Sequence, residues 1–184
     1  MIVLAIRDII ECRLIVPEGR IDSLAGSSAV TRTTGDRMRI AVFSDIHANR
    51  EALEAFCDHA ANRRIDRYMC LGDVVGYGAD PEWCISRLHA LPAVDCILGN
   101  HDHAVAGAPY SMGRAAQKVI EWTREQLSEK SIAFLKGLEA SRSWGDMLFC
   151  HANPYRPLEW YYVEDKEYIA RSFARSSANR TSIV

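Results

Sequence analysis

The sequence lacks the features that would place the protein in a membrane, on nucleic acid or outside the cell. No uncharged apolar run approaches the roughly 20 residues needed to span a bilayer. Arg7 and Asp8 interrupt the apolar N-terminus before the core of a signal peptide can form. Positive charge is not in excess, because 22 Lys and Arg are set against 24 Asp and Glu, which gives a net charge of −2. We therefore expect no membrane association and no stable binding to nucleic acid.

Paired cysteine motifs are also lacking. The six cysteines are scattered along the chain, and no two of them form a Cys-x-x-Cys pair. Without a signal peptide, this pattern favours reduced thiols in a cytoplasmic protein over a disulfide framework. The cysteines that lie in apolar stretches, and that we expect to be buried, are Cys57, Cys70, Cys96 and Cys150.

The composition is that of one soluble globular domain. The chain has 184 residues, of which 48% are hydrophobic and 25% charged, so a single hydrophobic core is expected. Residues 26–35 are small and polar, which is typical of a flexible linker. We divide the chain into an N-terminal extension of open role, residues 1–37, and a patterned domain, residues 38–184, for which Met38 would itself serve as a start.

From Met38 onward, short apolar runs alternate with segments of helical periodicity. Such runs are typical of strands buried on both faces, and apolar positions that recur every three or four residues indicate amphipathic helices. Asp80 and Pro81 form a helix start, with Asp at the N-cap and Pro at the first helical position. The alternation predicts an α/β domain of layered sheets and helices. The predicted strands are residues 40–43, 68–71, 94–98, 147–150 and 181–184, and the predicted helices are residues 49–62, 81–88, 115–127 and a short segment after Ser128.

Polar side chains that can bind metal ions follow four of these strands. Each motif is weak alone, because a short Asp, Asn or His motif after a strand is more often a turn or a hydrogen-bonded core residue. Four strand ends that each supply such a residue are a much stronger observation, since the carboxyl ends of strands gather at one edge of an α/β sheet. We expect these side chains to converge. In chain order they are Asp45 and His47, then Asp73, then Asn100 and His101, and last His151.

The chemistry of these side chains favours a centre with two divalent ions. Carboxylate, amide and imidazole donors together favour Mn, Fe, Zn or Mg over ions that select thiolates. A central carboxylate such as Asp73 can bridge two ions about 3.5–4 Å apart, and such a pair lowers the pKa of a bridging water from 15.7 towards about 7. A phosphorus centre attacked by that water needs a proton donor near its leaving oxygen, and His101 fits that role. His59 and His89 are interpreted as solvated or capping residues, and the role of His103 stays open.

Taken in order, the motifs resemble the calcineurin-like metallophosphoesterase superfamily, most of all its small prokaryotic branch of phosphatases and phosphodiesterases. The resemblance runs from about residue 39 to the C-terminus. The Gly-Asn-His-Asp block, together with the two motifs upstream of it, is its most specific part. The motifs that carry the resemblance are Asp45-x-His47, Gly72-Asp73, Gly99-Asn100-His101-Asp102 and His151.

The resemblance implies a layered sandwich of two β-sheets flanked by helices, and an enzyme that hydrolyses phosphomonoesters or phosphodiesters. It implies two divalent metal ions, with Mn²⁺ expected first and Fe, Zn, Ni or Mg as alternatives, and a small phosphorylated substrate. His101 would be the general acid or the stabiliser of the leaving-group oxygen, and Asp102 would orient it. The implied metal ligands are Asp45 and His47 for the first ion, Asp73 for both ions, and Asn100 and His151 for the second ion.

One motif of the superfamily is missing from the sequence. The family pattern closes with a Gly-His-x-His block, whose histidines complete the two metal sites, and this sequence contains none. Each implied site therefore lacks one imidazole, and the second sheet is expected to be incomplete. The alternative function is a catalytically weak or inactive metal-binding fragment of such an enzyme. An amidohydrolase would need a His-x-His opening or a carboxylated lysine, against which the Asp45-x-His47 opening argues.

Three loops are expected to form the walls of the site, residues 77–81, 103–112 and 154–162. Aromatic residues are concentrated in the third loop, where they could stack on a base or a sugar. We favour a structural role for them instead, as cover for the sheet or as a dimer contact. These residues are Tyr155, Trp160, Tyr161 and Tyr162.

Overall fold

Seven strands form two sheets in the computed structural model, which describes residues 9–12, 38–109, 113–145, 147–161, 166–176 and 181–183. The strands are β1 (Ile9–Cys12), β2 (Met38–Phe43), β3 (Arg67–Cys70), β4 (Val94–Cys96), β5 (Ser141–Trp144), β6 (Met147–Cys150) and β7 (Thr181–Ile183). The first sheet has the order β1-β2-β3-β4, in which β1 is antiparallel to β2 and the other three strands are parallel. The second has the order β5-β6-β7, with β5 antiparallel and β7 parallel to β6.

Local sequence sets where several of the helices begin. The described helices are α1 (Arg50–Ala61), α2 (Pro81–His89), α3 (Asn100–Ala106), α4 (Arg114–Gln126), α5 (Glu129–Lys136) and α6 (Lys166–Ser176). Asn49 caps α1, since its side chain accepts a 3.0 Å hydrogen bond from the N–H of Ala52. Pro81 occupies the first position of α2. Ser128 caps α5 by accepting from the N–H of Ser131.

Strands β2 and β3 are largely buried on both faces, as their apolar runs predict, whereas the residues of β4 are half-buried. Side chains alternate along a strand, so Ala41 and Phe43 pack towards the helices while Ile40 and Val42 pack the other way. Ile40 and Val42 belong to the same core as Phe149 of β6. One apolar layer therefore joins the first sheet to its helices, and a second joins the two sheets. Each large side chain buried in these layers stabilises the fold by about 1.5–3 kcal/mol.

All the predicted strands and helices are confirmed, with ends that differ by no more than two residues. Four further elements, β1, β5, α3 and α6, are not expected from the sequence pattern. The β5 segment has no apolar alternation, and its pairing with β6 comes from the main chain. The α3 segment carries the Gly-Asn-His-Asp motif, which resembles a loop when only apolar periodicity is considered.

The predicted N-terminal extension supplies β1, whose residues pair with β2 from Ile9 opposite Ala41 to Cys12 opposite Met38. The other residues of the extension, including the linker at 26–35, lie outside the described residues, and the division at residue 37 stays a prediction. Cys57, Cys70, Cys84 and Cys150 are free and buried, whereas Cys96, which was expected to be buried, is free but half-buried. None of the described helices is long and apolar enough to cross a membrane.

Candidate metal centre

The polar side chains singled out in the sequence meet at the carboxyl ends of strands from both sheets. The loop after β2 is joined to the loop after β3 by a 2.8 Å hydrogen bond from the N–H of His47 to the carbonyl of Asp73. His151, at the end of β6, is joined to the first sheet because its Nδ1 lies 2.8 Å from the carbonyl oxygen of Leu71. The predicted convergence is therefore observed, and it depends on the packing of one sheet against the other.

Asp73 is at the centre of this group. Its Oδ2 atom lies 3.7 Å from Nε2 of His47 and 3.4 Å from Nε2 of His151. The outer members add one oxygen each, since Oδ1 of Asp45 is 3.5 Å from Nε2 of His47 and Oδ1 of Asn100 is 3.0 Å from Nε2 of His151. One carboxylate oxygen thus lies between two imidazoles that come from different sheets.

Two groups of potential ligand atoms share Asp73. One contains His47, Asp73 and His101, the other contains Asp45, Asp73 and His151, and within each group the ligand atoms lie within 4.8 Å of one another. By distance, Asp45 is thus grouped with His151 and His101 with His47. The implied assignment places Asp45 with His47 instead, and it stays a prediction.

The outer nitrogen of each flanking imidazole is held by a main-chain carbonyl. Nδ1 of His47 lies 3.3 Å from the oxygen of Val75, and Nδ1 of His151 lies 2.8 Å from the oxygen of Leu71. A carbonyl oxygen can only accept, so Nδ1 carries a proton in both rings. Nε2 is therefore the atom that each ring presents to Asp73. Metal-binding histidines are oriented in this way, with the second nitrogen donating to a carbonyl or carboxylate.

The carboxylates of the centre shift the pKa values of its imidazoles. Burial is the largest single influence on the pKa of His151 and lowers it, but Asp73, Asp45 and the carbonyl of Leu71 together outweigh burial and raise the pKa to about 9. Burial also acts downward on His47, whose pKa is nevertheless raised by Asp45 and Asp73. In the metal-free chain a proton on Nε2 of His151 thus lies among the oxygens of Asp73 and Asn100. A cation can replace that proton, so the donors fit a divalent metal ion.

His101 is buried beside the same carboxylate but is held differently. Its main-chain N–H donates a 2.9 Å hydrogen bond to Oδ1 of Asp73. Its Nδ1 atom has no hydrogen-bond partner among the described residues, and a Cβ atom on Gly76 would lie 2.6 Å from it. Burial lowers the pKa of His101, which favours the neutral ring near pH 7. The Nδ1 atom of that ring lies against Gly76.

The Asp102 carboxylate is hydrogen-bonded to the main chain. The side chain is fully buried, and its two oxygens accept hydrogen bonds from the N–H groups of Val75 at 3.1 Å and Gly99 at 3.2 Å. Burial, together with the charge of Asp73, raises the pKa of Asp102. No hydrogen bond joins the Asp102 carboxylate to the His101 ring among the described residues, and the expectation that Asp102 orients His101 stays a prediction. Asp102 joins the loop after β3 to the start of α3.

The backbone at the centre is strained. Asp45, His47 and Asp73 all have positive φ angles, 58°, 48° and 52°. Such conformations cost side chains about 1–3 kcal/mol each and persist mainly at functional sites. Gly99 allows the closest approach, since a Cβ atom there would lie 2.1 Å from Oδ1 of Asp73. A glycine is thus required where α3 begins against this carboxylate.

The other histidines lie away from Asp73. His59 is exposed on α1, and the ring of His89 packs 4.4 Å from that of Phe134. The ring of His103 lies 5.6 Å from that of Trp160, and burial lowers its pKa. None of these three belongs to either group of potential ligands among the described residues.

The described aromatic residues of the third loop make ring contacts within the protein, and Tyr161 also remains 51% exposed. Trp160 is 8% exposed, and its ring lies 6.0 Å from that of His151. Tyr155 and Tyr161 pack against Tyr168 of α6, with ring separations of 6.4 and 5.3 Å. These contacts support the structural role. Tyr162 and the end of the predicted loop at residues 110–112 lie outside the described residues, while residues 103–106 are part of α3.

Tyr77 contacts the centre, although the sequence placed it only as the first residue of the wall loop at residues 77–81. The ring of Tyr77 lies 4.4 Å from that of His101 and 4.9 Å from that of His47. Tyr77 stands between two glycines directly after the Gly72-Asp73 motif. That flanking pattern is the feature from which the contact could have been predicted.

Comparison with known proteins agrees with this geometry. Residues 38–178 match the family described as calcineurin-like phosphoesterase. The chain belongs to the calcineurin-like phosphoesterase family. An uncharacterised protein of Methanocaldococcus jannaschii is 37% identical to this chain over 130 residues, which are 67% of this chain and 53% of that protein. The crystal structure of a metallophosphoesterase from Sphaerobacter thermophilus is 34% identical with a TM-score of 0.64, and covers 75% of this chain and 56% of that one.

A hypothetical protein from Pyrococcus horikoshii OT3 shares the fold, with 18% identity and a TM-score of 0.62 over 78% of this chain and 67% of that one. The superfamily expected from the motifs is confirmed, as is the mixed α/β architecture of a parallel sheet and a smaller sheet flanked by helices. This chain spans a little more than half the length of the first two relatives.

Proposed function

We propose that this chain is a metal-dependent hydrolase of phosphomonoesters or phosphodiesters that binds two divalent cations. The observation that carries the proposal is the position of Asp73, which is common to two groups of potential ligand atoms. The family match supports the reaction class. In the proposed site Asp45 and His47 bind the first ion, Asp73 binds both, and Asn100 and His151 bind the second.

The two oxygens of Asp73 have separate tasks in this proposal. Oδ1 accepts the N–H of His101, so Oδ2 remains for the ions. His47 and His151 present Nε2, because their Nδ1 atoms are held by carbonyls. When bound, the ions supply Lewis acidity that lowers the pKa of a bound water and offsets the charge of the phosphoryl oxygens. We propose Mn²⁺ as the ion, with Fe, Zn, Ni and Mg as alternatives, and a small phosphorylated compound as the substrate.

His101 is proposed to assist the leaving oxygen. Its neutral ring would stabilise that oxygen by donating a hydrogen bond from Nε2, and its protonated ring would act as a general acid. Its Nδ1 atom is buried against Gly76 with no acceptor among the described residues. A buried N–H without an acceptor is rare in proteins, which favours the tautomer with the proton on Nε2. That proton is then directed towards the centre, where a leaving group would need it. General acid catalysis of this kind contributes about 10²–10⁴-fold to the rate.

The experiment measures bound metal and turnover on the same purified chain. The metal-to-protein ratio is determined by elemental analysis after loading with Mn²⁺, and hydrolysis of p-nitrophenyl phosphate and of bis(p-nitrophenyl) phosphate is assayed alongside. We expect two ions per chain, no turnover in Asp73→Asn and a loss of about 10²–10⁴-fold in His101→Ala. His59→Ala, a change at an exposed histidine on α1, is the control and should retain full activity. Unchanged turnover in both site variants would overturn the proposal.

The alternative function is metal binding without turnover. It is favoured by the absence of a Gly-His-x-His block from the sequence, which leaves fewer imidazoles than the family pattern supplies. In that case the chain would bind one ion or none and would hydrolyse neither ester. Two ions with turnover would show instead that the ligands present, completed by water, are sufficient.

A further inference from the structure

An aromatic side chain is held at the candidate centre in a backbone conformation that such residues rarely adopt. Tyr77 has a φ angle of 62°. The N–H of Gly78 donates to the carbonyl of Gly76 at 2.8 Å, which closes a three-residue turn around Tyr77. Positive φ is a clear outlier for a bulky residue. Strain of this kind persists where the surrounding structure imposes it, typically at ligand-binding or catalytic positions.

The surroundings that impose this turn belong to the centre itself. A Cβ atom on Gly76 would lie 2.6 Å from Nδ1 of His101, and a Cβ atom on Gly78 would lie 2.4 Å from the carbonyl oxygen of His47. The N–H of Gly78 also donates to that carbonyl at 2.9 Å. Both glycines are thus packed directly against the two histidines. The turn fixes the position of the Tyr77 ring relative to both of them.

The Tyr77 ring covers the two histidines but is itself open to solvent. Its centre lies 4.4 Å from that of His101 and 4.9 Å from that of His47. Tyr77 remains 47% exposed, whereas Trp160 on the side of His151 is 8% exposed. Trp160 is therefore a closed wall, while Tyr77 has free aromatic surface next to His101.

We propose that Tyr77 contacts the leaving group and selects phosphoesters whose leaving group carries a flat aromatic ring. The inference rests on the proposed function, in which His101 donates to the leaving oxygen. The group bonded to that oxygen must then lie beside His101, and Tyr77 is the exposed aromatic neighbour of His101 among the described residues. Stacking on its free surface suits a nucleobase or a simple aryl ring, since every such ring has a π-face.

The test compares substrates that share a leaving oxygen and differ only in the ring. Benzyl phosphate is paired with cyclohexylmethyl phosphate, and adenosine 5′-monophosphate with ribose 5-phosphate, each also as its methyl diester. In both pairs the leaving group is a primary alcohol, so the chemistry at phosphorus is matched. Tyr77→Leu removes the π-face but keeps apolar bulk, and Tyr77→Phe keeps the ring. Trp122→Leu, a change at an aromatic residue that is 41% exposed on α4, is the control.

We expect Tyr77→Leu to lower kcat/KM about tenfold for the aromatic member of a pair, which is the value of one aromatic stack. The loss should lie mainly in KM, because stacking is made equally in the ground and transition states. The saturated member should change little, and both Tyr77→Phe and Trp122→Leu should behave as the parent chain. A selective loss in the nucleotide pair identifies a nucleobase as the ring, and one in the benzyl pair identifies a simple aryl group.

Equal losses for aromatic and saturated substrates, or losses confined to kcat, would overturn the inference, because they would mean that Tyr77 only supports His101. No hydrolysis of any ester by the parent chain, including bis(p-nitrophenyl) phosphate, would instead overturn the proposed function. The failure of the inference and the failure of the proposed function are therefore separate results of one set of assays.

Discussion

The main-chain N–H of His101 donates a 2.9 Å hydrogen bond to Oδ1 of Asp73. This bond joins the start of α3 to the loop after β3, and it leaves Oδ2 as the oxygen that lies between Nε2 of His47 and Nε2 of His151. Asp73 therefore has one structural oxygen and one oxygen directed at the centre. A substitution at Asp73 can therefore affect the oxygen that faces the centre and still leave an acceptor for the N–H of His101.

Asp73→Asn should keep the fold and lose the metal. The amide oxygen of asparagine can still accept the N–H of His101, but the negative charge between the two imidazoles is removed. We expect Mn²⁺ affinity to fall by about 100-fold or more, since even changes to outer-shell partners of ligands cost about 10–100-fold. Isothermal titration with Mn²⁺ measures the loss of metal affinity, and thermal unfolding of the metal-free chain checks that the fold is kept. Asp58→Asn, at an exposed position on α1, is the control, and equal affinities in the two variants would contradict the prediction.

Asp102→Ala should destabilise the chain as well as the centre. The change leaves the buried N–H groups of Val75 and Gly99 without their acceptor. An unsatisfied buried group costs about 1–3 kcal/mol, so we expect a loss of about 2–4 kcal/mol in the free energy of unfolding. Asp102→Asn retains one carbonyl acceptor and should lose less. Urea unfolding of the metal-free variants measures the difference, and a stability equal to that of the parent chain in both would show that these hydrogen bonds are unimportant.

Gly99→Ala should abolish metal binding, whereas Gly113→Ala should be neutral. A Cβ atom at Gly99 would lie 2.1 Å from Oδ1 and 2.2 Å from the main-chain nitrogen of Asp73, so the carboxylate must move. At Gly113, which precedes α4, nothing lies within 4 Å of the added atom. The same substitution is thus made at a crowded position, Gly99, and at a position with free space, Gly113. Mn²⁺ titration of both variants checks this, and a normal affinity in Gly99→Ala would contradict the distances.

Glu82→Gln should lower stability at neutral pH but not in acid. The Glu82 carboxylate accepts hydrogen bonds from the N–H of Ser128 at 3.0 Å and from the hydroxyls of Ser128 and Ser131 at 2.9 Å each, which join α2 to α5. Burial acts upward on the pKa of Glu82, but these bonds, those from Ser128 first, hold it below its ordinary value of 4.5.

The sign of the pH effect follows from that lowered pKa. The stabilisation by Glu82 is fully present above pH 4.5, the ordinary pKa, and is lost as the pH falls through the lower pKa of the folded chain. We expect Glu82→Gln to cost about 1 kcal/mol near neutral pH, since the carboxylate is partly exposed and its bonds are screened. Urea unfolding at about pH 7 and about pH 3.5 should show the difference shrinking in acid. Glu125→Gln on the exposed face of α4 is the control, and a pH-independent difference would refute the assignment.

Elements with a strong local pattern could be predicted, and elements without one could not. The apolar run at residues 40–43 and the cap at Asn49 are local, because a buried strand and a helix start each need particular side chains in a short window. The β5 strand has no such pattern, and its place is decided by pairing with β6. The β1 strand likewise depends on β2, which is already paired with β3 on its other side.

The candidate site follows the same division. Identities and order of the polar residues after each strand are properties of the sequence, and they carried both the family and the expected convergence. The hydrogen bonds of Asp102 could not be predicted from its neighbours along the chain, since its partners, Val75 and Gly99, are fixed only when two loops meet. The contact of Tyr77 with His101 likewise appears only in the folded chain.

The sequence by itself determined which chemical groups are available: two carboxylates, an amide and three imidazoles, each placed after an apolar strand. The tertiary structure decided which atoms of those groups face one another. Carbonyls from the loop after β3 select Nε2 of His47 and His151, and the N–H of His101 selects Oδ2 of Asp73 by engaging Oδ1. The reason is that hydrogen bonds between segments distant in sequence form only when the strands of the first sheet pair and, for His151, when the two sheets pack. Those bonds set which atom of each side chain faces the centre.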